Sequence, residues 1–148
     1  MATLMDELNL YMLHLESSID FVLVKDVAPA VVDRIENSAE TNVYAAYEPT
    51  QYIRRMSLNQ DDAYDRSASG LTLTIDNLTT GNDAQIGEGY DPGEIGNIIE
   101  SGIGYHWHGS RIYQSQQPRP WMEQGLVDSI RDHSAEKALE SGLLALGF

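Results

Sequence analysis

The chain contains no cysteine, so disulfides and thiolate-held zinc or iron–sulfur centres are excluded. Its 148 residues must be held by packing, alone or with partner subunits, and a cysteine-free chain fits a cytoplasmic product. Basic residues are scarce: 9 Lys and Arg stand against 23 Asp and Glu, a net charge of −14. A surface of that sign repels phosphates, which argues against a protein that gains affinity by neutralising nucleic acid. It suits a monomer kept soluble before assembly, or a channel along which DNA slides without sticking; a plain solvated surface accounts for it as well. No apolar run approaches the ~20 residues that span a bilayer, so the expectation is a soluble protein without a membrane segment. Asp6 and Glu7 stand where a signal peptide carries basic residues, so none is expected. Internal repeats and low-complexity segments are absent too. At this length folding buries about two-thirds of the unfolded surface, and the chain reads as one domain, 1–148, with 134–148 set apart as a C-terminal extension.

Catalytic motifs are also lacking. Gly87-Glu-Gly89 does not have the Gly-Lys-Ser/Thr ending of a phosphate loop, and there is no Gly-x-Ser-x-Gly elbow. Asp61-Asp62 could do acid–base work only in a pocket, and the surrounding residues 56–69 read as a polar loop. His106-Trp-His108 would place both imidazoles on the same side of a strand, a spacing that serves zinc or copper, but a third ligand is required. His14 and His133 lie in no metal motif. The reading is a histidine pair flanking a buried Trp, no catalytic, cofactor or metal residues, and no enzyme.

What is present begins with a helix over residues 3–24. Leu4, Leu8, Tyr11, Leu15, Ile19 and Val22 repeat at three and four residues, and Met5, Met12 and Leu23 widen the stripe beyond what one small sheet would cover. Either the core face is wide or another subunit covers it. Ala28-Pro29 marks a kink and a second helical part that ends near Thr41, with Val31 and Ile35 on its apolar side. Val43–Tyr47 predicts a short extended segment, followed by Pro49 as a break. Gly70–Asp76 is the clearest strand, with Leu71, Leu73 and Ile75 on one face. Turn and loop residues fill 77–93, and Glu94–Ser101 predicts a short helix stopped by Gly102. Pro120 opens the last helix, whose apolar side is Trp121, Met122, Leu126 and Ile130 and whose periodicity weakens after Arg131. Leu139, Leu143, Leu144, Leu146 and Phe148 form an apolar tail that either tucks back or docks on a neighbour.

Three segments recur in a known order: Asn42-Val-Tyr-Ala-Ala-Tyr-Glu-Pro-Thr-Gln-Tyr-Ile-Arg-Arg55, Ile98-Ile-Glu-Ser-Gly-Ile-Gly-Tyr105 and Pro118-Arg-Pro-Trp121. In this order they resemble the tail-completion (neck) proteins of long-tailed phages, over about residues 30–130. The chain departs from that family in three places: Trp121 replaces a Phe, Ser57-Leu-Asn-Gln60 stands where a glycine pair is usual, and the tail from Ser134 has no counterpart. The resemblance implies an α+β domain with a long, kinked N-terminal helix, a small mostly antiparallel sheet and a C-terminal helix packed on the sheet. It implies a homo-oligomeric ring, typically a hexamer, between the head connector (adaptor or stopper) and the tail tube, with DNA passing through its lumen. That places the protein in the virion neck or tail after assembly in the host cytoplasm. The residues expected as interface or fold anchors are Tyr44, Tyr47, Tyr52, Arg54, Arg55, Gly102, Gly104, Tyr105, Trp107, Arg119 and Trp121. A tail terminator or minor head protein is the nearest alternative. More distant alternatives are a small metal enzyme using His106 and His108, and an acidic DNA mimic directed at the host.

Overall fold

More than a third of what the computed structural model describes (residues 3–46, 57–80, 95–103 and 117–148) is one helical rod. Helix α1 (Leu4–Val22) starts at a capping box: Thr3 Oγ1 accepts from the Asp6 amide at 3.2 Å, and Asp6 Oδ2 accepts from the Thr3 amide at 2.8 Å. The Thr3 amide, and then the Thr3 hydroxyl, donate to Asp6 Oδ2 and hold its carboxyl below its ordinary range. A π turn, Leu23–Val27, joins α1 to α2 (Ala28–Ala39), and a second π turn, Glu40–Tyr44, ends the rod. The kink read at Pro29 is thus a widened turn inside a continuous helix. A proline here lacks a donor and crowds the preceding turn, and the π turn just upstream, where the Ala28 amide reaches back to Leu23, absorbs both defects. The rod runs to Tyr44, past the expected end at Thr41, so Val43 and Tyr44 are helical and not extended; burial of both against the core outweighs their β propensity.

Two short 3-10 turns, Ser57–Asn59 and Asp61–Ala63, lead into a hairpin of β1 (Tyr64–Ser69) and β2 (Thr72–Asn77), paired antiparallel from Tyr64 with Asn77 to Ser69 with Thr72. β1 corrects the polar loop read over 56–69. Only its alternate residues turn inward, and of these only Tyr64 is large and apolar, so the strand carries little pattern of its own. Gly70 and Leu71 both have positive φ, 58° and 64°, as a type I′ turn requires, so Leu71 sits at the exposed tip and not on the strand's apolar face.

Helix α3 (Ile95–Ser101) ends at Gly102, whose φ of 72° supplies the left-handed stop; its amide bonds Ile98 O at 2.9 Å. The C-terminal helical segment is divided into α4 (Trp121–Arg131) and α5 (Ser134–Leu146). The division lies at His133, with φ 60°, where Asp132 Oδ1 accepts from the Ser134 amide at 2.9 Å and starts α5. α4 buries Trp121, Gly125 and Ser129, while Leu126 and Ile130, expected on its apolar side, are exposed. Close approach to α2 explains the difference. A Cβ on Gly125 would lie 2.5 Å from Ile35 Cα, so no side chain fits at that position. Most of α4 therefore packs on α2, and it meets the sheet through Trp121, whose ring lies 6.1 Å from that of Tyr64. α5 runs back along α1: Gly142 packs on Val22, and Phe148 meets His14 with ring centroids 6.0 Å apart. The core holds Val22, Val31, Val32, Ile35, Leu58, Tyr64 and Trp121. Long helices, a two-stranded antiparallel sheet and C-terminal helices make the expected α+β architecture.

Candidate interaction surface

Four of the anchor residues read from the sequence fall within the described residues. Tyr44, Arg119 and Trp121 converge at one end of the core, and Gly102 closes the helix beside them. Tyr44 Oη accepts from the Leu58 amide at 2.8 Å, and the Tyr64 hydroxyl donates to Leu58 O. Arg119 Nη1 donates to Val43 O at 3.4 Å, and the Arg119 amide reaches Ile99 O and Glu100 O, both at 3.1 Å. Trp121 is fully buried. Glu100 completes the group in a way the sequence did not signal. Its carboxylate accepts from the amides of Met122 at 3.0 Å and Glu123 at 3.1 Å, capping α4 where Pro120 brings no side-chain cap. These residues knit the rod, β1, α3 and α4 together. Tyr47, Tyr52, Arg54, Arg55, Gly104, Tyr105, Trp107 and the His106 and His108 pair lie outside the described residues.

Charge accumulates along one side of α2. Burial, then the carboxylates of Asp61 and Asp33, push the Glu36 carboxyl up, with Arg66 opposing them. Arg66 pairs with Asp61, and Glu36 Oε1 has no hydrogen-bond partner among the described residues. Burial and the Glu36 charge raise the Tyr64 hydroxyl as well. Among the described residues no three His, Asp or Glu side chains converge as a metal site.

The longest run of exposed apolar side chains among the described residues is the outer half of α1. Cover by α5 ends level with His14. Beyond it residues 4–13 extend about 15 Å, and among the described residues only the hairpin tip at Leu71 comes near them. Leu4 is 83% exposed and Leu10 70%, and Met5, Leu8, Tyr11, Met12 and Leu13 are exposed with them. At ~100° per residue, Leu4, Met5, Leu8, Tyr11, Met12, Leu15 and Ile19 fall in one sector about 120° wide, which runs on into the core at Val22. Leu10 and Leu13 lie on the opposite side. The hairpin braces the base of this arm: Asp20 accepts from the amides of Gly70 at 3.1 Å and Leu71 at 2.9 Å. Between the arm and the hairpin tip lies an apolar groove of about 380 Å³ lined by Met12, Leu13, Leu15, Ile19 and Leu71, with Asn9 and Glu16 as its polar members. A smaller apolar surface, Leu126, Val127 and Ile130, lies on the outer face of α4. Contiguous apolar exposure on this scale marks a contact surface. No described helix is long and apolar enough to cross a membrane.

No curated protein and no solved structure matches the chain. One family model does, YomN, over residues 4–145, which takes in the arm, the hairpin and both C-terminal helices. The chain therefore belongs to the YomN family, a phage-derived family with its namesake in a Bacillus prophage region, and is a phage protein.

Proposed function

We propose that this phage protein is a structural component of the virion, a homo-oligomeric ring that joins the head connector to the tail at the neck. The observation that carries the reading is the bare apolar half of α1, a surface that a protein working alone would bury. Its mechanism is geometric and involves no catalysis. Identical copies meet through heterologous contacts and close a ring. One face of the ring docks on the connector and the other on the tail tube, and a net charge of −14 limits adhesion of the DNA that passes through. The tail-completion resemblance of the Tyr-rich, Gly-Ile-Gly-Tyr and Pro-Arg-Pro-Trp segments supports the same place, in the virion after assembly in the host cytoplasm.

A phage carrying a nonsense codon in this gene tests the reading. Non-permissive growth is expected to yield DNA-filled heads and separate tails, joined on addition of the purified protein. Complete infectious particles without the protein would exclude it from the neck.

A further inference from the structure

The geometry points to the occupant of the free arm: the arms of neighbouring copies of this chain, packed parallel and side by side along residues 4–15. The pairing rests on the ring reading for its direction, because cyclic symmetry orients every copy alike.

Three features of α1 select a second copy. The first is charge. Two chains of net charge −14 repel over most of their surfaces, yet the only carboxylates within residues 4–15, Asp6 and Glu7, lie outside the apolar sector. The sector is where two copies meet without bringing carboxylates face to face. The second is spacing. Leu4, Leu8, Tyr11 and Leu15 alternate at four and three residues, the a/d rhythm of helices that pack along their length, and the same rhythm continues through Ser18 to Val22, where α5 already covers it. One half of the seam is thus filled within the chain and the other half is open. The third is area. Leu4, Met5, Leu8, Tyr11 and Met12 expose on the order of 100 Å² each, so a pair of arms buries roughly 1,000 Å², the lower bound for a specific interface. The sector is wide enough for each arm to meet one neighbour on the Leu4 and Tyr11 flank and the other on the Met5 and Met12 flank, so that every contact in a closed circle of arms is alike.

The cysteine-free chain makes the test clean, since any engineered thiol is the only one. Leu4→Cys under mild oxidation is expected to yield disulfide-linked dimers, because parallel arms in register bring the two Leu4 positions together. Antiparallel arms would separate them by about 16 Å, far beyond the ~7 Å Cα limit of a disulfide. Leu8→Glu with Tyr11→Glu is expected to reduce the wild-type assembly to the 16.5 kDa monomer while near-ultraviolet dichroism from Trp121 stays unchanged, since both positions lie outside the core. Leu126→Glu, on the outer face of α4, is expected to leave the mass as it is. A wild-type monomer, or an assembly that survives the double substitution, overturns arm pairing. Loss of assembly on the double substitution without a Leu4→Cys cross-link overturns the parallel circle and, with it, the ring. An arm-mediated ring absent from the virion overturns the neck assignment alone.

Discussion

Replacing Gly125 by alanine sets two effects of opposite sign against each other. Intrinsic preference favours alanine inside a helix by about 1 kcal/mol. The structure opposes it, because the added methyl would lie 2.5 Å from Ile35 Cα and 2.7 Å from its amide nitrogen, both backbone atoms that no rotamer change can move. α2 and α4 would have to separate by about 1 Å, loosening the contacts of Trp121 and Ser129 along the same face, and overpacking of this kind costs up to ~3 kcal/mol. The net expectation is a loss of about 2 kcal/mol. For a domain of this size that is a fall in Tm of roughly 4–8 °C, followed by circular dichroism at fixed protein concentration. Gly70→Ala is the control: its φ of 58° carries strain, but nothing lies within 4 Å of the new methyl. A Gly125→Ala protein as stable as the wild type, or more so, would refute the close packing of α2 on α4.

Three further outcomes follow from named contacts. Trp121→Ala removes the largest fully buried side chain among the described residues and is expected to cost about 3–5 kcal/mol in urea denaturation; a cost below about 1 kcal/mol would contradict its central place. Asp20→Ala strips the acceptor from the Gly70 and Leu71 amides, so exchange of both with solvent is expected to quicken, with a loss of about 1 kcal/mol; unchanged protection would show that the hairpin does not lean on α1. Glu36 is raised above the ordinary 4.5, so the folded state favours its neutral form, and its ionisation works against folding as pH rises through that raised value. Glu36→Gln is therefore expected to raise stability slightly at pH 7, by well under ~1 kcal/mol given its partial exposure, with the gain vanishing below about pH 4.5. An equal gain at pH 4 and pH 7 would remove the electrostatic cause.

Where an element carried a periodic apolar pattern or a local stop signal, the sequence was readable. The α1 stripe, the alternation of Leu73 and Ile75 and the stop at Gly102 all emerge from spacing and residue chemistry. Where packing depends on the absence of a side chain, reading by large apolar residues misleads. Leu126 and Ile130 looked like the core side of α4 together with Trp121, yet beyond Trp121 the buried side is Gly125 and Ser129, because close approach of the two backbones at Gly125 selects small residues there and leaves Leu126 and Ile130 outside. β1 escaped notice because Tyr64 is its only large apolar residue and its pairing with β2 supplies the rest. Pro29 signalled a break that a π turn absorbs. The excess apolar width of α1 was visible as well, but not that its first ten residues stand clear of the body, since that depends on where α5 ends. Glu100 as the cap of α4 joins residues more than twenty positions apart and leaves no local mark in the sequence.

The mass of the purified protein in solution, measured by light scattering at tens of micromolar, bears most directly on its role as a ring built through α1. The expected result is one discrete species at a whole multiple of 16.5 kDa that does not grow with concentration, as a closed circle requires. A lone 16.5 kDa species, with the apolar arm intact and no self-association, would contradict it.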